Sequence, residues 1–316
     1  MKDTVTFLIA TLNEEEDLED LLVSIKKQTH VKKEIIIVDG GSKDRTVKIA
    51  SKYTKKVYVL PGTGVTKSKA YGLKKATGGI VHLADADNRF EDRRYMEKMI
   101  KIFRTHKPGA VAVRIKPSGR MNFIQRGQAA YRSLIWENNQ KGVVTDVDPD
   151  NITFCCFEKN LLTKLMDSEY RNLIGNDDLY LAKRTRELGA KTVFDPALSQ
   201  SHKDPDSWNQ IKRQALWYGR VINQRYVPDK TRKVVTMLGA LLFWPANFLL
   251  FPVNLSFFPS DIIALLLAAM NTLYLLGALY LSARSRDAAG SFFLIYILNP
   301  YRAFWFFTGY TKGLGR

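Results

Sequence analysis

Two aspartates one residue apart, Asp85 and Asp87, end the apolar run Ile80 to Ala84 in GGIVHLADADNRF. Carboxylates so placed on a short turn, in a chain of net charge +17, can hold a hard divalent cation through oxygen, and such a cation commonly carries substrate phosphates. A solvated turn is the other reading, because Asp and Asn are common there. Asn13 and Asp39 also follow apolar runs, and Asp177 and Asp178 stand together at the start of a helical pattern. Acids in that position serve as caps as readily as they serve chemistry. His202 lies just past a strand-like stretch, where a loop histidine has many uses besides ligation.

The elements that must position these groups alternate in type. Val5 to Ala10 reads as a strand, and TLNEEEDLEDLLVSIKKQ as a helix with Leu18, Leu21, Leu22 and Ile25 on one face. Glu14, Glu15 and Glu16 are expected at its positive end, Lys26 and Lys27 at its negative end. Strand EIIIVD, helix Asp44 to Tyr53, strand Lys56 to Leu60, helix Thr66 to Ala76 and strand Ile80 to Ala84 continue the rhythm. This alternation predicts an α/β fold, a Rossmann-like, mostly parallel open sheet covered by helices. Ligands in such sheets collect at the carboxyl ends of the strands, so Asn13, Asp39, Asp85 and Asp87 should share one crevice. The only two cysteines, Cys155 and Cys156, are neighbours expected on opposite faces of a strand, which argues against a disulfide framework and for a reducing location.

With 316 residues, 46% of them hydrophobic, the chain can bury one full core and still form a second unit. The first twenty residues have no signal-peptide pattern. From Val234 to Ala283 the only charged residue is Asp261. Spans are expected at about 234–258, kinked by Pro245 and Pro252, and at about 262–283. A third apolar segment, about 288–311, is broken by Asn299, Pro300 and Arg302 and reads as interfacial or spanning. Basic TRK and RSR flank the pair while FPSD between the spans has no Lys or Arg, which predicts a multi-pass membrane protein with its catalytic part on the cytoplasmic face. The organisation expected is therefore residues 1–205 as catalytic domain, 206–233 as a basic, aromatic interfacial helix region, and 234–316 as membrane domain. No nucleic-acid module accompanies the basic excess, so anionic membrane lipids, not nucleic acid, are the expected partner.

In order and spacing, FLIATLNEEEDLEDLLVSI, EIIIVDGGSKDRT, GVTKSKAYGLKKATGGIVHLADAD and NDDLYLAKRTRELGAKTVF resemble inverting glycosyltransferase family 2 with the GT-A fold, over about two thirds of the chain. The resemblance implies a metal-dependent hexosyltransferase using Mn2+ or Mg2+ and a UDP- or GDP-sugar. Thr11, Asn13, Glu14 and Asp39 would hold base and ribose, Lys69 would face the diphosphate, and Asp87, Asp85 and His202 would hold the metal. Asp178 would be the catalytic base and Asp177 the acid before it. Gln210 and Arg213 match the first and fourth positions of the Q-x-x-R-W signature of processive synthases near the acceptor channel. Gln214 stands where that signature has tryptophan, with Trp217 a turn later, and this departure argues against processive polymerisation. The acceptor implied is the hydroxyl of a lipid-linked or membrane-held glycan. A polyprenyl phosphate, as in dolichyl-phosphate sugar synthases, and a non-catalytic nucleotide-sugar-binding protein are the alternatives.

Overall fold

The computed structural model describes residues 4–29, 32–117, 119, 121–136, 144–145, 154–221, 288–293 and 297–313, with short helical pieces between 234 and 283. The expected spans, 234–258 and 262–283, lie mostly outside these residues. Among the described residues no helix is long and apolar enough to cross a membrane.

Unbroken apolar runs make the central strands: β1 (Thr4–Thr11), β2 (Lys32–Asp39) and β4 (Ile80–Ala84). Both faces of these strands are covered, so alternate residues feed different layers. Phe7, Ile9, Ile35 and Ile37 join one core with Leu18, Leu21, Leu22 and Ile25 of α1 (Leu18–Lys26) and with Tyr95, Met99 and Phe103 of α4 (Tyr95–His106). Full burial of each aliphatic side chain of α1 is worth about 2 kcal/mol, which fixes that helix more firmly than its propensity does. On the other face Leu8, Ile36 and Val38 meet α3 (Val65–Lys75), so closely that a Cβ on Gly72 would lie 2.2 Å from Leu8.

The described strands are completed by β3 (Val57–Val59), β5 (Asn88–Arg89), β6 (Ala110–Pro117), β7 (Val144–Thr145), β8 (Phe154–Glu158) and β9 (Thr192–His202). Their order is β3-β2-β1-β4-β8-β6-β9-β5, with β7 also on β9. Strands β3, β2, β1 and β4 run parallel, but β8 is antiparallel to both β4 and β6, and β5 and β7 are antiparallel to β9. With β6 and β9 parallel to each other, six of the described strands share one direction and β5, β7 and β8 oppose it, so the sheet is mixed. A strand buried on both faces has the same apolar run whichever way its neighbour points, so direction leaves no mark on the sequence.

Two further expectations fail locally. Helix α1 begins at Leu18, not at the acidic run, because Asn13 adopts φ 57° and starts a loop; the acids of its first turn are Glu19 and Asp20. Cys155 is the extra residue of a bulge in β8, where Val111 pairs with Cys156 and Ala112 with Phe154. The bulge resets the alternation, and both cysteines lie in the same core cluster.

The chain divides into two compact units, residues 1–118 with 140–203 and residues 119–139 with 204–316. In that second unit α9 (Trp208–Val221) packs on α11 (Asn299–Gly313), and α5 (Phe123–Trp136) packs on α10 (Ala288–Phe293). A Cβ on Gly219 would lie 2.0 Å from the Phe306 carbonyl oxygen, and one on Gly309 would lie 2.1 Å from that of Leu216. Small residues let the two helix backbones touch.

Candidate active site

The loops after β1 and β2 are stitched to each other. Asp39 is fully buried; its Oδ1 accepts from the amides of Gly41 and Ser42, and its Oδ2 from the hydroxyls of Thr11 and Ser42. Four donors engage this carboxylate and brace the two loops against each other. Gly41 makes that possible, because at φ 97° a side chain would be strained and would press on Pro61. Asn13 bonds across the gap: its amide donates to Ser42 Oγ (2.8 Å) and its Oδ1 accepts from the amide of Lys43 (2.9 Å). The amides of Glu14 and Glu15 donate to Thr46 Oγ1 and Asp44 Oδ2. Ser42, Asp44 and Thr46 are partners that the sequence pattern did not single out.

Glu14 is left facing like charge. Burial, then Asp87, Asp17, Asp85 and Asp44, push its carboxyl up to about 7. Asp87 meets His202, with Nε2 3.1 Å from Oδ2, because β5 and β9 pair at Asn88 and His202. Asn88 braces the turn, accepting from the amide of Asp85 and donating to Asp87 Oδ1. Asp85, with a mostly exposed side chain, turns instead to Lys69, 3.5 Å away. Asp87 and His202 are thus brought together, whereas Asp85 turns to Lys69, and among the described residues Asp85, Asp87 and His202 do not form a group whose ligand atoms all lie within 4.8 Å of one another.

Lys69, on the inner side of α3, is 6% exposed. Its ammonium lies 2.9 Å from Asp177 and 3.5 Å from Asp85. Burial disfavours its charge, but Asp177 and Asp85 outweigh that and hold it protonated well above the ordinary range. The Tyr170 hydroxyl, from α7 (Ser168–Arg171), also donates to Asp177, at 3.4 Å. Tyr170 is fully buried and was not anticipated; a tyrosine in a polar four-residue helix carries no distinguishing signal.

Helix α8 (Asp177–Glu187) starts after Asn176, whose φ of 57° turns the chain into it. Neither acid caps the helix as expected; both occupy its first turn. The Asp178 side chain is open to solvent, but it stands deep among protein atoms, and although the helix dipole favours its charge, that desolvation and the neighbouring Asp177 push its carboxyl up to about 6. Two adjacent acids therefore differ: one is locked to a lysine, the other exchanges its proton near pH 6 and is mostly ionised at neutral pH.

Gln210, Arg213, Gln214 and Trp217 all lie on α9, in the second unit. Gln210 Oε1 accepts from the Asp206 amide, fixing the helix start together with Ser207. Gln214 Oε1 accepts from Arg302 of α11 at 2.8 Å, while Arg213 and Trp217 are exposed.

The O-antigen chain rhamnosyltransferase WbaN of Salmonella anatum is 31% identical over 202 residues, 60% of this chain and 62% of that one. The cholesterol galactosyltransferase of Borreliella burgdorferi is 33% identical over 95 residues, 28% of this chain and 26% of that one. The chain thus spans from a quarter to under two thirds of the length of these curated relatives. Among solved structures, the mannosyltransferase PcManGT from Pyrobaculum calidifontis, in complex with GDP-Man and Mn2+, shares the fold at a TM-score of 0.55 and 18% identity, covering 99% of this chain and 87% of that one. Residues 6–169, more than half of the chain and everything from β1 to the helix that carries Tyr170, match the description Glycosyl transferase family 2, and the chain belongs to that family.

Proposed function

We propose that the protein transfers a sugar from a nucleoside-diphosphate sugar to a hydroxyl of a lipid-linked or membrane-held glycan at the cytoplasmic membrane face, with inversion at the anomeric carbon. The observation that carries the reading is the division of labour between Asp177, paired with Lys69, and Asp178, pushed to about 6. A base that must take a proton near neutral pH works best with such a value.

In the step proposed, Asp178 takes the proton of the acceptor hydroxyl as its oxygen bonds to the anomeric carbon. The bond from that carbon to the diphosphate oxygen breaks on the opposite side, and the nucleoside diphosphate leaves with the electron pair. Lys69 holds Asp177 and Asp85 in place and supplies positive potential beside the leaving group. Asp177 is a positioning residue.

The oxygen donors of Asp85 and Asp87, the imidazole of His202 and the unbalanced negative charge that raises Glu14 suit a divalent cation, Mn2+ or Mg2+. Such an ion would be held by Asp87, with Asp85 and His202 beside it, and would supply charge neutralisation for the diphosphate. The Mn2+ and GDP-Man recorded with PcManGT favour both the metal and the donor class. Galactosyl transfer to cholesterol, a lipid, and rhamnosyl transfer in an O-antigen chain, as those relatives are named, favour a lipid-linked or glycan acceptor. Membrane attachment rests on the apolar stretch 234–283 and on the exposed Trp217 and Tyr218 of α9, which suit headgroup depth.

The test is nucleoside diphosphate release by detergent-purified protein over UDP-, GDP- and dTDP-sugars, with Mn2+ or Mg2+ and a polyprenol-linked glycan. Release from one donor that requires metal and disappears in Asp87→Ala is expected. Nucleotide binding without release from any donor would overturn the enzymatic reading.

A further inference from the structure

On the α4 side of the sheet the core of the first unit holds a group with no part in the proposed chemistry. His82 of β4 pairs directly with Cys156 of β8, and the bulge adds Cys155 beside them. One ligand atom from each of the three lies within 4.8 Å of the others. None is exposed by more than 3%, and both cysteines are free thiols. His82 stacks on Phe7 at 5.5 Å and meets Phe90 edge-on at 5.1 Å, so its surroundings are apolar. The Tyr95 hydroxyl lies 3.2 Å from His82 Nε2 and 3.7 Å from Cys155 Sγ. His82 Nδ1 is buried without a hydrogen-bond partner, which costs about 1–3 kcal/mol in a core.

Three soft or borderline ligands and an orphaned ring nitrogen are an expensive way to fill an apolar core. A bulge that turns a second thiol towards the same imidazole makes the arrangement more specific than core packing needs. We propose that His82, Cys155 and Cys156, with the Tyr95 hydroxyl beside them, form a structural zinc site in the core, separate from the carboxylate site at the strand ends. Tetrahedral zinc sets sulfur and nitrogen ligand atoms about 3.5–3.8 Å apart, so three atoms within 4.8 Å of one another need draw in by no more than about 1.3 Å. Two thiolates and a neutral imidazole balance the charge of Zn2+, and a neutral site can be buried where a lone charge could not. Binding replaces both thiol protons, which leave to solvent.

The full chain, produced in zinc-supplemented cells and passed over a chelating resin, is analysed for metal by mass spectrometry beside Asp87→Ala and Cys155→Ala/Cys156→Ala. About one equivalent of zinc is expected in the wild type and in Asp87→Ala, and roughly a tenth or less in the double variant. Should that variant not fold, cobalt-loaded wild type decides the matter, because thiolate ligation gives an intense near-ultraviolet charge-transfer band that carboxylates do not. Zinc below a tenth of an equivalent in the wild type, zinc lost with Asp87→Ala, or a cobalt spectrum without the thiolate band would each overturn the proposal. None of these readouts depends on sugar transfer, so the site stands or falls apart from the proposed enzymatic function.

Discussion

Glu34 and Glu14 are glutamates of the same unit at opposite ends of the sheet, and they meet opposite fates. At the amino end Glu34 is 8% exposed, yet it accepts from the Thr6 hydroxyl, from the amide and hydroxyl of Thr77, and from Lys56. Burial opposes its charge, but those bonds prevail and hold its carboxyl at about 2. At the carboxyl end burial and four aspartates push Glu14 to about 7, and Asp178 stands at about 6. One end satisfies its carboxylate completely; the other gathers carboxylates with Lys69 as the buried cation among them. Charge arranged in the first way stabilises a fold, and charge arranged in the second way waits for a ligand.

Asp178→Asn tests the contrast most severely. It should lower nucleoside diphosphate release by about 10²–10⁴-fold while nucleotide binding persists, because a general base contributes on that scale. Its melting temperature at pH 8 should equal or slightly exceed that of the wild type, since the variant no longer carries a charge that Asp177 and the surrounding protein disfavour. A variant that loses stability and activity together would place Asp178 with Glu34, among the groups that hold the fold.

Glu34→Ala should do the reverse. Removing the carboxylate leaves Lys56 and Thr77 without their partner, at a cost of about 3 kcal/mol in denaturant unfolding, with turnover per folded molecule unchanged. Its pH signature has a definite sign. A carboxyl held at about 2 in the folded chain and at 4.5 ordinarily contributes stability that is complete above pH 4.5 and fades as pH falls towards 2. The difference between wild type and Glu34→Ala should shrink across that window; a constant difference would mean that packing, not charge, is what Glu34 provides.

How much of this was legible depends on distance along the chain. The apolar runs of β1, β2 and β4 and the carboxylates at their ends are local patterns, and the helix face of Leu18, Leu21, Leu22 and Ile25 is a matter of spacing. Glu14 was misplaced onto a helix because one left-handed residue, Asn13, breaks a pattern that composition alone extends. The cysteines were sent to opposite faces because a bulge depends on the partner strand, which the run TFCCFE does not specify. The pair Lys69 and Asp177 is separated by 108 residues, so no window of sequence joins them. Alternation and apolar runs reveal which layers exist; they do not reveal which charges end up face to face.

The two acids of α8 give a finer test of the carboxyl end. If Asp178 is the base, turnover should rise with pH through an inflection near 6, where its carboxyl loses its proton. Asp177→Asn removes the neighbouring negative charge, which after burial is the main cause of the elevation, and should move the inflection to lower pH by about one unit or less. Lys69 keeps Asp85 as a counter-charge in that variant, so its ammonium should stay protonated. An inflection that does not move would detach the acidic limb from Asp178.

Glu14→Gln is the smallest effect and the most direct measure of the imbalance. Because the folded chain holds the Glu14 proton up to about pH 7 while the ordinary value is 4.5, the folded state binds more protons across that interval, and stability falls as pH rises through it. The amide cannot ionise, so Glu14→Gln should be the more stable protein above pH 7, by about 1 kcal/mol once solvent screening at a partly exposed site is allowed for, and the two should converge below pH 4.5. Mn2+ should narrow the gap, since a cation beside Asp85 and Asp87 would offset the like-charge repulsion that, after burial, raises the Glu14 carboxyl. Thermal melts at pH 5 and pH 8, with and without Mn2+, give all four corners. A gap that appears at both pH values would reduce the effect to packing, and one that ignores Mn2+ would separate Glu14 from the proposed cation site and leave Asp87 and His202 to hold the ion with Asp85 alone.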